Sequence, residues 1–222
     1  MTTANEATNV MRALRGLGSD NASVRLRAAL AVGTAPDPRC VDELVGRCAI
    51  EPDFQVREML TWALTRHSPA LTLPRLLDEL RAEPAQARSQ ALHTLSKIGD
   101  PRAWPAITRE LMTDPDDEVA RSAWRAAVVL VPEGSESEPA GVLATQLGRG
   151  GRETQLSLSR ALIALGEAMT PVLRAAKSDP RPPVRRHAIA TEKLARDPEA
   201  GFDLAVEEAK RIVVLGPAGQ EE

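Results

Sequence analysis

Aromatic residues are almost missing: 222 residues hold no Tyr, two Phe and three Trp. A core this poor in rings has to be assembled from Ala, Leu and Val, which suits close-packed helices and excludes an aromatic-rich β-sandwich or barrel. Long apolar runs are also lacking, and nothing approaches the roughly 18 uninterrupted apolar residues of a spanning helix. The polar start, Met1 to Val10, has no secretory leader pattern, so a soluble cytoplasmic chain with no membrane partner is expected. Excess positive charge is missing too. With 28 Lys+Arg against 31 Asp+Glu the net charge is −3, which argues against nucleic acid as a partner. Only four of the basic residues are Lys, and Arg favours planar, bidentate contacts with carboxylates. The two cysteines, Cys40 and Cys48, would sit about 12 Å apart on one helix, too far for a disulfide between them, and read as small buried residues of a reducing compartment.

What is present is a repeat. Val24-Arg25-Leu26-Arg27-Ala28 aligns with Val56-Arg57-Glu58-Met59-Leu60 and with Ala87-Arg88-Ser89-Gln90-Ala91, and the anchors Val119, Thr154 and Val184 continue the series. Six units follow. In each, small or apolar residues recur at helical spacing in two stripes: Ala28, Ala31, Val32 and Ala35, then Val41, Leu44, Val45 and Cys48 in the first unit. In the third unit the second stripe is Trp104, Ile107, Thr108 and Leu111. Asp-Pro pairs at 37–38, 100–101, 114–115, 179–180 and 197–198 mark helix starts, because Asp caps free N–H groups and Pro suits a first turn. A helix pair of this size cannot bury its apolar face alone, so neighbouring pairs must stack.

The stretch Ile98-Gly99-Asp100-Pro101-Arg102-Ala103-Trp104-Pro105-Ala106-Ile107, followed by Asp114-Pro115-Asp116-Asp117-Glu118-Val119-Ala120-Arg121, resembles the HEAT-like repeat of phycobilin-lyase-type proteins. The chain as a whole is similar to HEAT-repeat proteins of actinobacteria. The resemblance implies an all-α, right-handed α-solenoid (superhelix) of about six two-helix repeats, with each second helix lining a concave face. The expected organisation is a single domain over 1–215, with a capping helix at about 5–17. Repeats start near 20, 52, 83, 115, 150 and 180, and a disordered tail covers 216–222. The fifth unit departs from the pattern, since Gly148-Arg149-Gly150-Gly151 replaces the Asp-Pro turn.

Catalytic motifs do not emerge. His67, His93 and His187 fall in different columns and project from different faces, no His-Glu dipeptide occurs, and neither a nucleophile elbow nor a phosphate loop is present. No cofactor, metal or catalytic residue is expected. The most ordered polar feature is the column Arg25, Arg57, Arg88 and Arg185, read as a structural ladder of Arg-carboxylate or Arg-carbonyl contacts between units. Trp104 replaces Val41 and Leu73 in an apolar column and reads as core. Trp62 and Trp124 fall in mixed columns, and together with Arg66 and Arg125 they form candidate partner contacts, since interface hot spots favour Trp and Arg. The second helices add Arg75, Asp78, Glu79 and Arg109 to a mixed-charge strip. The resulting expectation is a non-enzymatic binding scaffold, a monomer or weak oligomer, whose concave face takes a protein or peptide. The alternatives are a HEAT-like DNA glycosylase or DNA-binding protein and a small-molecule-sensing accessory protein of a MerR-type regulator.

Overall fold

The computed structural model describes residues 2–215, leaving aside the side chains of residues 2–7, 200, 214 and 215, so the expected tail at 216–222 lies outside the described residues. The described chain is all-α. No strand occurs among the described residues, and no single helix is long and apolar enough to cross a membrane. It divides into two compact units, Met1–Ile107 and Thr108–Glu222.

In the first unit, α1 (Thr2–Leu17) precedes three repeats. The first helices are α2 (Ala22–Thr34), α4 (Phe54–Thr65) and α6 (Ala85–Ile98), and the second helices are α3 (Val41–Ile50) and α5 (Pro69–Glu79). Capping fixes these starts: the Asn21 side chain accepts from the amides of Ser23 and Val24, and Asp53 accepts from that of Val56. Gly99, at φ 68°, ends α6 in the left-handed conformation that glycine adopts without a Cβ clash. α2 packs on α4 and α4 on α6, while α3 lies against α4 and α6, and α1 covers α2. Leu17, Leu44, Leu60, Leu64, Leu76, Leu92 and Leu95 are fully buried where these rows meet, each leucine contributing about 2 kcal/mol by leaving water.

The third repeat departs from the expected stripe. Its second helix breaks into a 3-10 turn, Pro101–Ala106, and a four-residue α7, Arg109–Met112, with the Thr108 hydroxyl accepting from the Leu111 amide. Pro105 removes an amide donor and Thr108 offers a new cap, so the local chemistry stops one helix and starts another.

The second unit continues with α8 (Asp117–Leu130), α10 (Arg152–Ala164) and α12 (Pro182–Arg196) side by side. α9 (Ser137–Ala144) and α11 (Met169–Ala176) form the second row, and α13 (Phe202–Leu215) lies along α12. Trp124, Leu143, Leu158, Leu162 and His187 are its largest buried side chains.

Candidate functional site

The arginine column was read as contacts between units; its geometry is mostly a clamp within each unit. One Nη1 of Arg25 donates to the carbonyls of Ser19 and Asp20, that of Arg57 to Glu51 and Pro52, that of Arg88 to Ala82 and Glu83, and that of Arg185 to Asp179 and Pro180. Each guanidinium therefore closes the loop before its own helix, at the carbonyls five and six places upstream. Two units lack the arginine. At Ala120 the same two carbonyls, Asp114 and Pro115, are served by Nη2 of Arg149, which reaches in from the glycine-rich turn at 2.6 and 3.0 Å. Arg149 also pairs with Asp117 at 2.8 Å. At Gln155 a single amide hydrogen bond to Gly150 replaces the clamp.

Arg25 does more than its counterparts. Its Nε and Nη2 grip both oxygens of Glu51 at 2.7 Å, Arg47 adds a bond of 2.8 Å, and the Asp53 amide adds another of 2.9 Å. Glu51 is 0% exposed. Burial pushes its carboxyl up, but the bonds from Arg25, the Asp53 amide and Arg47 outweigh that and hold it at about 2. The carboxylate that answers Arg25 comes from the end of α3, the second helix of the same repeat.

The remaining polar clusters are structural. His187 accepts a hydrogen bond from the Gly148 amide at Nδ1, so the ring proton sits on Nε2 and faces the Gln155 carbonyl and the Ser159 hydroxyl, each 3.0 Å away. A ring already protonated at Nε2 cannot take a proton from Ser159, and burial lowers His187 to about 4, so it is neutral at pH 7. His67 lies buried with its nitrogens 2.9 and 3.2 Å from the carbonyls of Ala63 and Asp37. Both cysteines are free and buried, and burial pushes the Cys48 thiol up to about 12. Among the described residues no three His, Cys, Asp or Glu side chains gather to hold a metal ion.

The tryptophans redistribute. Trp124, a candidate contact, is 0% exposed; its indole N–H donates to the Met112 carbonyl at 2.8 Å. It satisfies an open carbonyl at the end of the short α7, so it has no surface to offer. Trp104, read as core, is only half-buried because its segment is a 3-10 turn. Trp62 is 38% exposed. Its six-membered ring lies on Gly33 of α2, where an added Cβ would come within 2.3 Å of a ring carbon. One turn before Gly33, Leu30 stands 46% exposed, a residue that spacing alone had not singled out. Arg27, one turn before Leu30, and Arg66, one turn past Trp62, are exposed and enter no ion pair among the described residues.

The other candidates lie apart. Arg75 of α5 is paired with Asp42 at 2.6 Å, leaving Asp78 exposed and Glu79 half-buried beside it. Arg109 and Arg125 are exposed in the second unit, where an Nη2 of Arg125 donates to the Ser122 hydroxyl. Of these candidates, Trp62 and Arg66 join Leu30 and Arg27 in an apolar-basic patch on the first unit, and the others lie scattered.

Helix pairs in repeated register define an α-helical repeat protein. Residues 49–129 match the family described as HEAT repeats. No curated protein matches. Among solved structures, human deoxyhypusine hydroxylase in complex with glycerol is similar at 18% identity, covering 97% of this chain and 100% of that one, with a TM-score of 0.48. A likeness of that degree transfers no residue and no reaction. The expectation of a non-enzymatic scaffold does not hold, because stacked helix pairs and missing motifs do not by themselves define a protein without a reaction. That expectation is withdrawn.

Proposed function

We propose that the first unit recognises a protein partner through the outer face formed by α2 and α4, centred on Trp62 and Leu30. The observation that carries this reading is the seating of Trp62: a large ring fixed on a glycine, with an exposed apolar neighbour and, at both ends, arginines that enter no ion pair among the described residues. A pre-positioned Trp loses little side-chain freedom on binding, and Trp with Arg is the pairing enriched where interface energy concentrates. Arg27 and Arg66 select a partner segment with carboxylates flanking an apolar side chain, because neither guanidinium enters an ion pair among the described residues. Such a contact serves an enzyme and an adaptor alike.

A photo-crosslinking amino acid placed at position 30 tests the reading in the native host. A discrete protein adduct is expected there, weakened by R66E and R27E, while the same probe at Val129, exposed on α8 of the second unit, gives none. Equal labelling from both positions, or no protein adduct at position 30, overturns it.

A further inference from the structure

The second unit contains a cleft that partner docking on the first unit does not use. It has a volume of about 530 Å³ and lies between one face of α10 and the start of α13. Arg152, Leu156, Arg160 and Ile163 line it from α10 at helical spacing, and Leu194 and Phe202 close the apolar floor. That floor is fixed from behind, since Leu194 and Phe202 belong to a buried cluster with Ala190, Ala205 and Ala209, and the Phe202 ring meets His187 edge-on at 6.2 Å. The turn into α13 passes through Gly201 at φ 77°, a conformation that a side chain would oppose.

The charges at the rim are unequal. Arg152 presents Nε and Nη2 to the two oxygens of Asp203 at 2.6 and 2.7 Å, a complete bidentate fork. Arg160, two turns along the same face, is exposed and enters no ion pair among the described residues. The cleft therefore combines apolar walls, a volume within the roughly 300–1,000 Å³ of small-molecule sites, and one unpaired guanidinium beside one already holding a carboxylate.

We infer that this cleft binds a small amphipathic carboxylate, an alkyl or aryl acid whose apolar body lies on Leu156, Ile163 and Phe202 while its carboxylate pairs with Arg160. Size argues for a small acid, and charge argues for a single anionic head: a neutral apolar ligand would leave Arg160 unpaired over a covered cleft, and a cation would be repelled. Asp203 shows on the protein's own side how a carboxylate is held at this rim, and it competes with the ligand for Arg152.

Calorimetric titration of the full chain with decanoate, below its micelle concentration, tests the inference. Decanoate is expected to bind at one site, and decanol and decylamine much more weakly. R160Q should weaken decanoate binding by about tenfold, the loss of one charge-assisted pair. D203N should tighten it, because the freed fork of Arg152 becomes a second donor. Both positions are exposed, and helical circular dichroism confirms that each variant is folded. Equal binding of decanoate and decylamine, or an R160Q variant that binds as the parent does, overturns the proposal. Preferential binding of a peptide with a free apolar C-terminus over decanoate overturns the assignment to a small acid.

Discussion

The two units solve the same register differently. Six and nine places past the repeat anchor, the first unit sets Trp62 of α4 on Gly33 of α2, and ring and glycine close the seam between the helices. In the second unit those places on α10 are Arg160 and Ile163, and they line an open cleft. The arginine clamp diverges as well. Three successive repeats of the first unit supply it from their own helices, whereas the second unit does so only at Arg185, imports it through Arg149 at Ala120 and reduces it to one amide at Gln155. Neither a full clamp nor a filled seam is therefore required at every repeat, and the second unit's departures free side chains that regular packing would consume.

The largest effect is expected from breaking the buried charge cluster of the first unit. R25A leaves Glu51 with Arg47 and the Asp53 amide and should cost about 3 kcal/mol, because an incompletely paired buried charge keeps its desolvation penalty; urea unfolding followed by circular dichroism measures it. The same cluster sets an acid limit. Glu51 falls from 4.5 in the unfolded chain to about 2 in the folded one, so its contribution is complete above pH 4.5 and is lost as pH drops towards 2. E51Q should flatten stability across that window, and an unchanged profile would show that other carboxylates govern it.

Next in size, R149A removes the imported clamp and its bond to Asp117. It should lower stability by about 2 kcal/mol, the scale of charged hydrogen bonds in a partly buried place. R57A, which removes a local clamp from a half-exposed helix start, should cost about half as much by the same measurement. If R149A proves the milder of the two, the imported arginine is not the equivalent of the local ones.

Smaller still is G33A, whose new methyl must displace the Trp62 ring. An expected cost of about 1.5 kcal/mol should come with a shift in tryptophan emission. The contrasting G46A puts a methyl in α3 where nothing lies within 4 Å, and should raise stability by about 0.5 kcal/mol through the lower freedom of the unfolded chain. Opposite signs for these two glycines would separate the one that seats a ring from the one that merely interrupts a helix.

Much of the fold was legible because it is local. Apolar spacing near 3.6, Asp or Asn before several helices and an Arg after four of the six anchors are properties of contiguous residues, and the four arginines of the column do make one shared contact. The candidate site was legible only in part. Trp62 and Arg66 stand where a partner can reach them, but Trp124 does not, and columns could not separate the two because alignment reports register and not what lies opposite. Trp124 is buried because α7 is short and its last turn lies over the indole. That brevity follows from Pro105 and Thr108, signals present in the sequence but overridden by the apparent stripe. Leu30 was missed since a leucine in an apolar-rich helix gives no sign of facing water.

By itself, then, the sequence determined the repeat, the helix pairs, the loop clamps and the poverty of rings that lets Ala- and Leu-rich helices approach closely. Tertiary structure alone decided that Glu51 answers Arg25, that Arg149 replaces a missing arginine, that Trp62 rests on Gly33 and that Arg160 overlooks an apolar cleft. Helix formation depends on neighbours within a turn or so, which composition and spacing encode. Pairing a charge or seating a ring depends on atoms brought together from about thirty residues away, and only the packed chain selects them.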